Sequence, residues 1–316
     1  YPDKVDFSLG ASIGELSPFY ILFKVFPFLT FLFNSDQVFF IVEVLFNLVN
    51  LYFILKITKL FLKDSHSFYL VALILFVFIF DFPVFGFAKS GLGIHGEFSP
   101  GVFARPALIA SIYYFFIGKY KFSMFLATLI GMLHFKEAWF ISSAFLFFII
   151  FVHKDYKTTA VSILFMLIGL FPYLGASIDI SNITLAIDTQ VVQVNSYEER
   201  LVITENILKR ERYEADLTQE SLASWIVYAL LISSAFILTN KLKDNNIKFK
   251  LRYILTLSLL MVILGSLYTG YLYQFIPVPK LVLLSPARSA WSSILIATLL
   301  LISYLYSQII SQDNIK

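Results

Sequence analysis

Nine runs of apolar residues, at 36–62, 67–87, 101–118, 121–135, 137–153, 157–175, 223–240, 249–272 and 288–310, take up most of this chain. A bilayer core about 30 Å thick is crossed by roughly 20 apolar residues of helix. A water-soluble domain is nearer half apolar and a quarter charged, whereas this chain of 316 residues is 59% hydrophobic and 14% charged. A soluble core has no use for that much apolar surface, so lipid is the expected solvent. The expected fold is all-α: a polytopic integral membrane protein with about nine to ten transmembrane helices. The tenth candidate, 18–33, is shorter and interrupted by Lys24 and Pro27, so it lies in the interface or enters only part of the way.

Loop charge orients these spans. Alternate loops carry Lys56, Lys59, Lys63, Lys119, Lys121, Lys154, Lys157, Lys241, Lys243, Lys248, Lys250 and Arg252. The other short loops carry Lys89, Lys136 and Lys280. Basic residues in short loops stay on the cytoplasmic side, so the first set is expected there. The outer side then receives residues 1–17, the 88–100 loop, the 134–137 turn, the loop 176–222 and the 273–287 loop. The whole chain, 1–316, reads as one transmembrane domain with the extracytoplasmic loop 176–222 inserted in it.

That long loop holds a soluble helix. Ser196-Tyr-Glu-Glu199 forms a capping box, in which serine and glutamate satisfy free amide donors reciprocally. Glu205 and Lys209 follow at a spacing that pairs them on one face. Leu201 and Leu208 supply an apolar seat.

Several function classes are excluded at once. The chain has no cysteine, which removes disulfides, thiolate catalysis and cysteine-ligated metals. A net charge of +3 gives no footprint for nucleic acid. Ser90-Gly-Leu-Gly-Ile-His-Gly96 is not a phosphate loop, because no Gly-Lys-Ser or Gly-Lys-Thr follows.

With this topology the unusual polar groups gather on the outer face: Asp3, Asp6, Arg105, His134, Lys136, Arg210, Arg212 and Arg288. Ionisable groups at membrane depth are expensive and tend to face cavities or partners. An outer cavity lined this way suits an anionic ligand delivered from the lipid. Simpler roles stand beside that one. Arg105 and Arg288 also fit anchors whose charge snorkels to the headgroups. His134 fits a histidine bonded to its neighbours at a helix end, Lys136 a tight turn, and Asp3 and Asp6 solvated terminal acids.

Three stretches carry a resemblance. The first is Ser99-Pro-Gly-Val-Phe-Ala-Arg-Pro106, followed by an apolar helix, Gly118-Lys-Tyr120, and a helix closing in Gly131-Met-Leu-His134. The second is Arg210-Glu-Arg212 in the long loop, ahead of the span bearing Trp225. The third is Leu284-Ser-Pro-Ala-Arg288, opening the last span. Together they resemble the C-type superfamily of polyprenol-dependent membrane glycosyltransferases, and more narrowly an uncharacterised bacterial branch near it.

The resemblance implies transfer of a sugar from a polyprenyl-phosphate carrier on the extracytoplasmic face of a bacterial inner membrane. It implies an acid in the first outer loop, at Asp3 or Asp6 with a helix before them, acting as base or organising a divalent metal. Arg105, His134, Lys136, Arg210, Arg212 and Arg288 would bind the substrate. The partners would be membrane lipid and the polyprenyl-phosphate sugar. The alternative is a non-catalytic membrane subunit of a larger complex, with protein partners on the 176–222 loop. A transporter fits less well, because transport sites lie near the midplane and Glu43 is the main ionisable residue within a span.

Overall fold

The structure, a computed structural model, describes residues 35–62, 100–133, 135–180, 197–210, 219–278 and 290–313. Among them every regular element is helical. In chain order they are α1 (Ser35–Phe61), α2 (Pro100–Phe116), α3 (Tyr120–Leu133), α4 (Phe135–Phe148) and α5 (Tyr156–Ile180). Then come α6 (Tyr197–Arg210), α7 (Gln219–Thr239), α8 (Asn245–Gly270) and α9 (Ala290–Asp313). A π-helical turn, Ile149–His153, continues α4, and a 3-10 turn, Leu272–Gln274, follows α8. The expected runs at 67–87 and 18–33 lie outside the described residues.

Among the described residues three helices are long and apolar enough to cross a membrane: α1 over Val44–Phe61, α8 over Asn245–Gly270 and α9 over Ala290–Gln308. Trp139–His153, Tyr156–Gly169 and Trp225–Thr239 are shorter apolar helices. The described residues divide into two compact units. One contains α3, α4 and α5 with residues 35–49 and 100–112. The other contains α6 to α9 with residues 50–61 and 113–118.

In the first unit α3, α4 and α5 pack up, down and up. Tyr120, opening α3, lies against Phe148 and His153 at the end of α4 and its π-helical turn, with ring centroids 5.8 and 4.6 Å apart. The basic turns at Lys119–Lys121 and Lys154–Lys157 therefore share one end. Asp155 starts α5 by accepting from the Lys157 amide at 3.0 Å and the Thr158 hydroxyl at 2.5 Å. Farther along, Thr128 Oγ1 donates to the Phe165 carbonyl at 2.8 Å. Gly169 lets the two backbones approach there, since a Cβ on it would stand 2.9 Å from Thr128 Cγ2 and 3.1 Å from Thr128 Cα. Helices in lipid gain little from burying apolar surface against one another, so close approach and interhelical hydrogen bonds hold them. Ser123 supplies a second such bond, donating to the Ser111 carbonyl of α2 at 2.8 Å.

In the second unit α7, α8 and α9 form the corresponding cluster. Asp244 caps α8 by accepting from the Asn246 and Ile247 amides. Arg252, two turns on, reaches back to Thr239 and Asn240 at the end of α7, at 3.0 and 2.5 Å. The helix α9 is apolar all round and buried on most sides, Trp291 to Ala297 without a break. Such a helix belongs in the interior of its bundle. α8 instead shows Leu260, Leu264 and Leu267 outward.

The basic turns of this unit also share an end. Phe61, closing α1, stands 6.3 Å from Phe116, closing α2. Lys250, in the second turn of α8, donates to the Phe116 carbonyl at 3.0 Å. Lys250 is fully buried, not the solvated loop charge the sequence suggests. It caps the carboxyl end of α2, where the last carbonyls lack helical partners and a cation is favoured. Gly118 follows with φ +80°, the left-handed conformation that ends a helix.

Candidate functional site

Of the eight side chains expected to form an outer site, Arg105 is the one whose surroundings are described. It sits in the second turn of α2, directly before Pro106. Its exposure is 5%, and Ala104, Pro106, Leu108 and Ile109 around it are buried as well. A snorkelling anchor would hold its charge in the headgroups. Arg105 is instead enclosed by protein.

Its depth follows from helix rise. At 1.5 Å per residue, Arg105 lies about 8 Å from the start of α2 at Pro100 and about 16 Å from its end at Phe116. The guanidinium therefore belongs to the part of the helix away from the basic turns. Taking an ion from water into so apolar a setting costs several kcal/mol, so such a residue is held by paired or hydrogen-bonding groups. Arginine meets that need with a planar fork suited to carboxylates and phosphates. The chemistry such a residue offers is anion recognition in an apolar, protein-enclosed setting.

Of the other expected residues, two have a described backbone position. Lys136 falls in the first turn of α4, and Arg210 is the last residue of α6. Asp3, Asp6, His134, Arg212 and Arg288 lie outside the described residues. No cluster of three or more metal-ligating side chains occurs among the described residues.

Inside the second unit lies a polar cluster that carries no charge. Tyr228 of α7, Ser258 of α8 and Ser293 of α9 meet in its interior. Ser258 Oγ donates to Ser293 Oγ at 2.9 Å, and Ser293 donates to the Ala290 carbonyl at 2.9 Å. The Tyr228 hydroxyl lies 3.0 Å from Ser293 Oγ. All three side chains are buried. Hydroxyls in apolar runs were the available signal, at Ser258 in the middle of α8 and at Ser292-Ser293 in the first turn of α9. With no acid or base in the triad, its chemistry is hydrogen bonding that joins three helices.

No family model, no curated protein and no solved structure matches this chain. The fold and the buried arginine define a class: an all-α protein whose apolar helices are fit to cross a membrane.

Proposed function

We propose that this chain, with nine to ten spans, transfers a sugar from a polyprenyl-phosphate carrier on the extracytoplasmic face of a bacterial inner membrane. The observation that supports this reading is the enclosure of Arg105 within an apolar helix. Ionisable residues within a membrane span are expensive and mark ligand sites or paths. The Arg105 fork holds the carrier's phosphate through two charge-assisted bonds, with Lys136, His134 and the arginines at 210, 212 and 288 assisting. Asp3 or Asp6 takes the acceptor's proton or organises a divalent metal. The chemistry of such a transfer is simple: the acceptor oxygen bonds to the anomeric carbon as the bond to the carrier phosphate breaks.

A second reading, a non-catalytic subunit of a larger membrane complex, is favoured by α6. That helix leaves Tyr197 and Val202 exposed on an otherwise polar surface, as a docking helix would.

The test is binding of polyprenyl phosphate to the purified chain in lipid nanodiscs, followed by native mass spectrometry. Release of polyprenyl phosphate from a radiolabelled carrier sugar is measured in parallel. Binding is expected in the parent protein and about tenfold weaker in Arg105→Lys, which keeps charge and loses the fork. Equal binding by the parent, Arg105→Lys and Arg105→Met rules out a phosphate site at Arg105. Absence of both binding and release in the parent leaves the subunit reading.

A further inference from the structure

The segment after α8, Tyr271-Leu-Tyr-Gln-Phe-Ile-Pro-Val278, contains no charged residue and displays large apolar side chains. Tyr271, Phe275 and Ile276 are 62, 63 and 61% exposed. Displaying such a cluster to water would be unusual. Three observations say what covers it.

The first is continuity. Leu260, Leu264 and Leu267 form the outward stripe of α8, and the exposed Tyr271 and Phe275 follow it in the chain past the helix end. The second is depth. From Arg252, the last basic residue of α8, to Tyr271 is 19 residues. That is roughly 28 Å of helix, close to the ~30 Å hydrocarbon core. The turn therefore falls at the interface opposite the basic turns, where aromatic side chains concentrate.

The third is the backbone, which leaves little for water to do. The Gln274 amide donates to the Tyr271 carbonyl, and those of Phe275 and Ile276 both donate to the Leu272 carbonyl. Pro277 has no N–H, and the Val278 amide donates to the Tyr268 hydroxyl at 2.8 Å. Every donor from Gln274 to Val278 is thus satisfied within the second unit. On the acceptor side, the Tyr268 hydroxyl shares its proton between the Ile276 and Val278 carbonyls, at 3.0 and 3.1 Å. The Tyr197 hydroxyl of α6 donates to the Gln274 carbonyl. Irregular backbone at membrane depth needs this self-sufficiency, because lipid offers no partners.

We infer that the Tyr271–Val278 turn is a lipid-contact element, seated in the bilayer interface opposite the basic turns and clamped in shape by Tyr268. The occupant of its apolar face is the glycerol and upper acyl region of the surrounding lipid. This rests on the reading of α8 as a membrane span. In the function proposed above, it is a lipid-facing rim beside which a polyprenyl chain can lie.

The chain lacks cysteine, so single nitroxides can be placed at Leu264→Cys, Phe275→Cys, Ile276→Cys and Lys243→Cys in the full protein in nanodiscs. Collision rates with oxygen, which concentrates in lipid, and with a water-soluble nickel chelate give depth. At 264 oxygen should dominate strongly. At 275 and 276 it should still dominate, but less, and at 243 the chelate should. Chelate dominance at 275 and 276 with 264 in lipid overturns the inference while sparing the membrane reading. Low access to both reagents at 275 and 276 also overturns it, since a protein surface then covers the turn. Chelate dominance at 264 overturns the membrane reading of α8 and the inference with it. Adding Tyr268→Phe should raise nickel access at 275 about twofold or more as the clamp opens. No change there removes the clamp from the proposal.

Discussion

The Lys250 ammonium donates to the Phe116 carbonyl at 3.0 Å and stands 5.8 Å from the centre of the Phe115 ring. A fully buried lysine thus ends α2 by bonding a carbonyl that the helix itself leaves open. The pair predicts a specific cost. Lys250→Met fills similar volume but removes the donor, leaving the Phe116 carbonyl buried and unsatisfied. Such a group costs about 1–3 kcal/mol. Thermal unfolding in detergent should show a clear drop in Tm for Lys250→Met. Lys119→Met, at an exposed position of the neighbouring turn, should stay within about 0.5 kcal/mol of the parent. Equal Tm values for the two variants would remove Lys250 from the role of cap.

The same lysine shows where the sequence stops being legible. Apolar runs located the helices well, because crossing lipid requires long uninterrupted stretches. The run at 36–62 became α1 at Ser35–Phe61, and that at 223–240 became α7 at Gln219–Thr239. Ends were harder. The run at 157–175 marks the apolar stretch, yet α5 continues through Pro172 and Gly175 to Ile180. The run at 137–153 is regular only to Phe148, then widens into a π-helical turn that closes on Lys154 at φ 55°. Burial was hardest. Lys250 reads as a loop charge, and Arg105 reads equally as a cavity residue or a headgroup anchor, because apolar residues surround each helix and no face of the sequence is marked as interior. The Tyr228–Ser258–Ser293 group was equally hidden, since each hydroxyl lies on a different helix and only packing joins them.

Sidedness is the second prediction. Within each unit the basic turns fall at one end, as Tyr120 against His153 and Lys250 against Phe116 show. The positive-inside rule then assigns that end to the cytoplasm. In intact cells an impermeant thiol reagent should label Gln190→Cys and miss Asn245→Cys. Both should react after lysis. Labelling of the cysteine at 245 before lysis, with the one at 190 protected, reverses the assignment.

The meeting of α3 and α5 makes a third prediction. Gly169→Ala places a methyl group 2.9 Å from Thr128 Cγ2 and 3.1 Å from the Thr128 carbonyl oxygen. The backbone contact cannot be relieved by a rotamer change, so the helices must separate. Overpacking of this kind costs about 1–3 kcal/mol. Thr128→Ser deletes Cγ2 but keeps a hydroxyl for the Phe165 carbonyl, so it should recover part of the loss. The double variant should therefore be more stable than the sum of the two single changes predicts. Strict additivity in a thermal unfolding cycle would show that the two residues do not share this contact.

The last prediction concerns pH and the start of α5. Asp155 lies between the π-helical turn and α5, outside the membrane-crossing stretches. The Thr158 hydroxyl does most to hold its carboxyl below the ordinary aspartate value; desolvation opposes it, and the amides of Thr158 and Lys157 and the nearby His153 add to the lowering. The sign of the consequence follows from that direction. A carboxyl whose pKa is lower in the folded state binds its proton less readily there than in the unfolded chain. Its contribution to stability is therefore complete above the unfolded pKa and fades as pH falls through the lowered, folded one. Asp155→Asn keeps an acceptor for the cap but cannot ionise, so it should show a flatter dependence of Tm on pH in the acidic range. Asp155→Ala removes the cap altogether and should lower Tm at neutral pH, where the helix start loses its side-chain acceptor. The difference in Tm between the parent and Asp155→Asn should shrink steadily as the pH drops below the ordinary carboxylate range. A gap of constant size from neutral pH down to that range would mean that the carboxylate charge at position 155 contributes nothing to the start of α5.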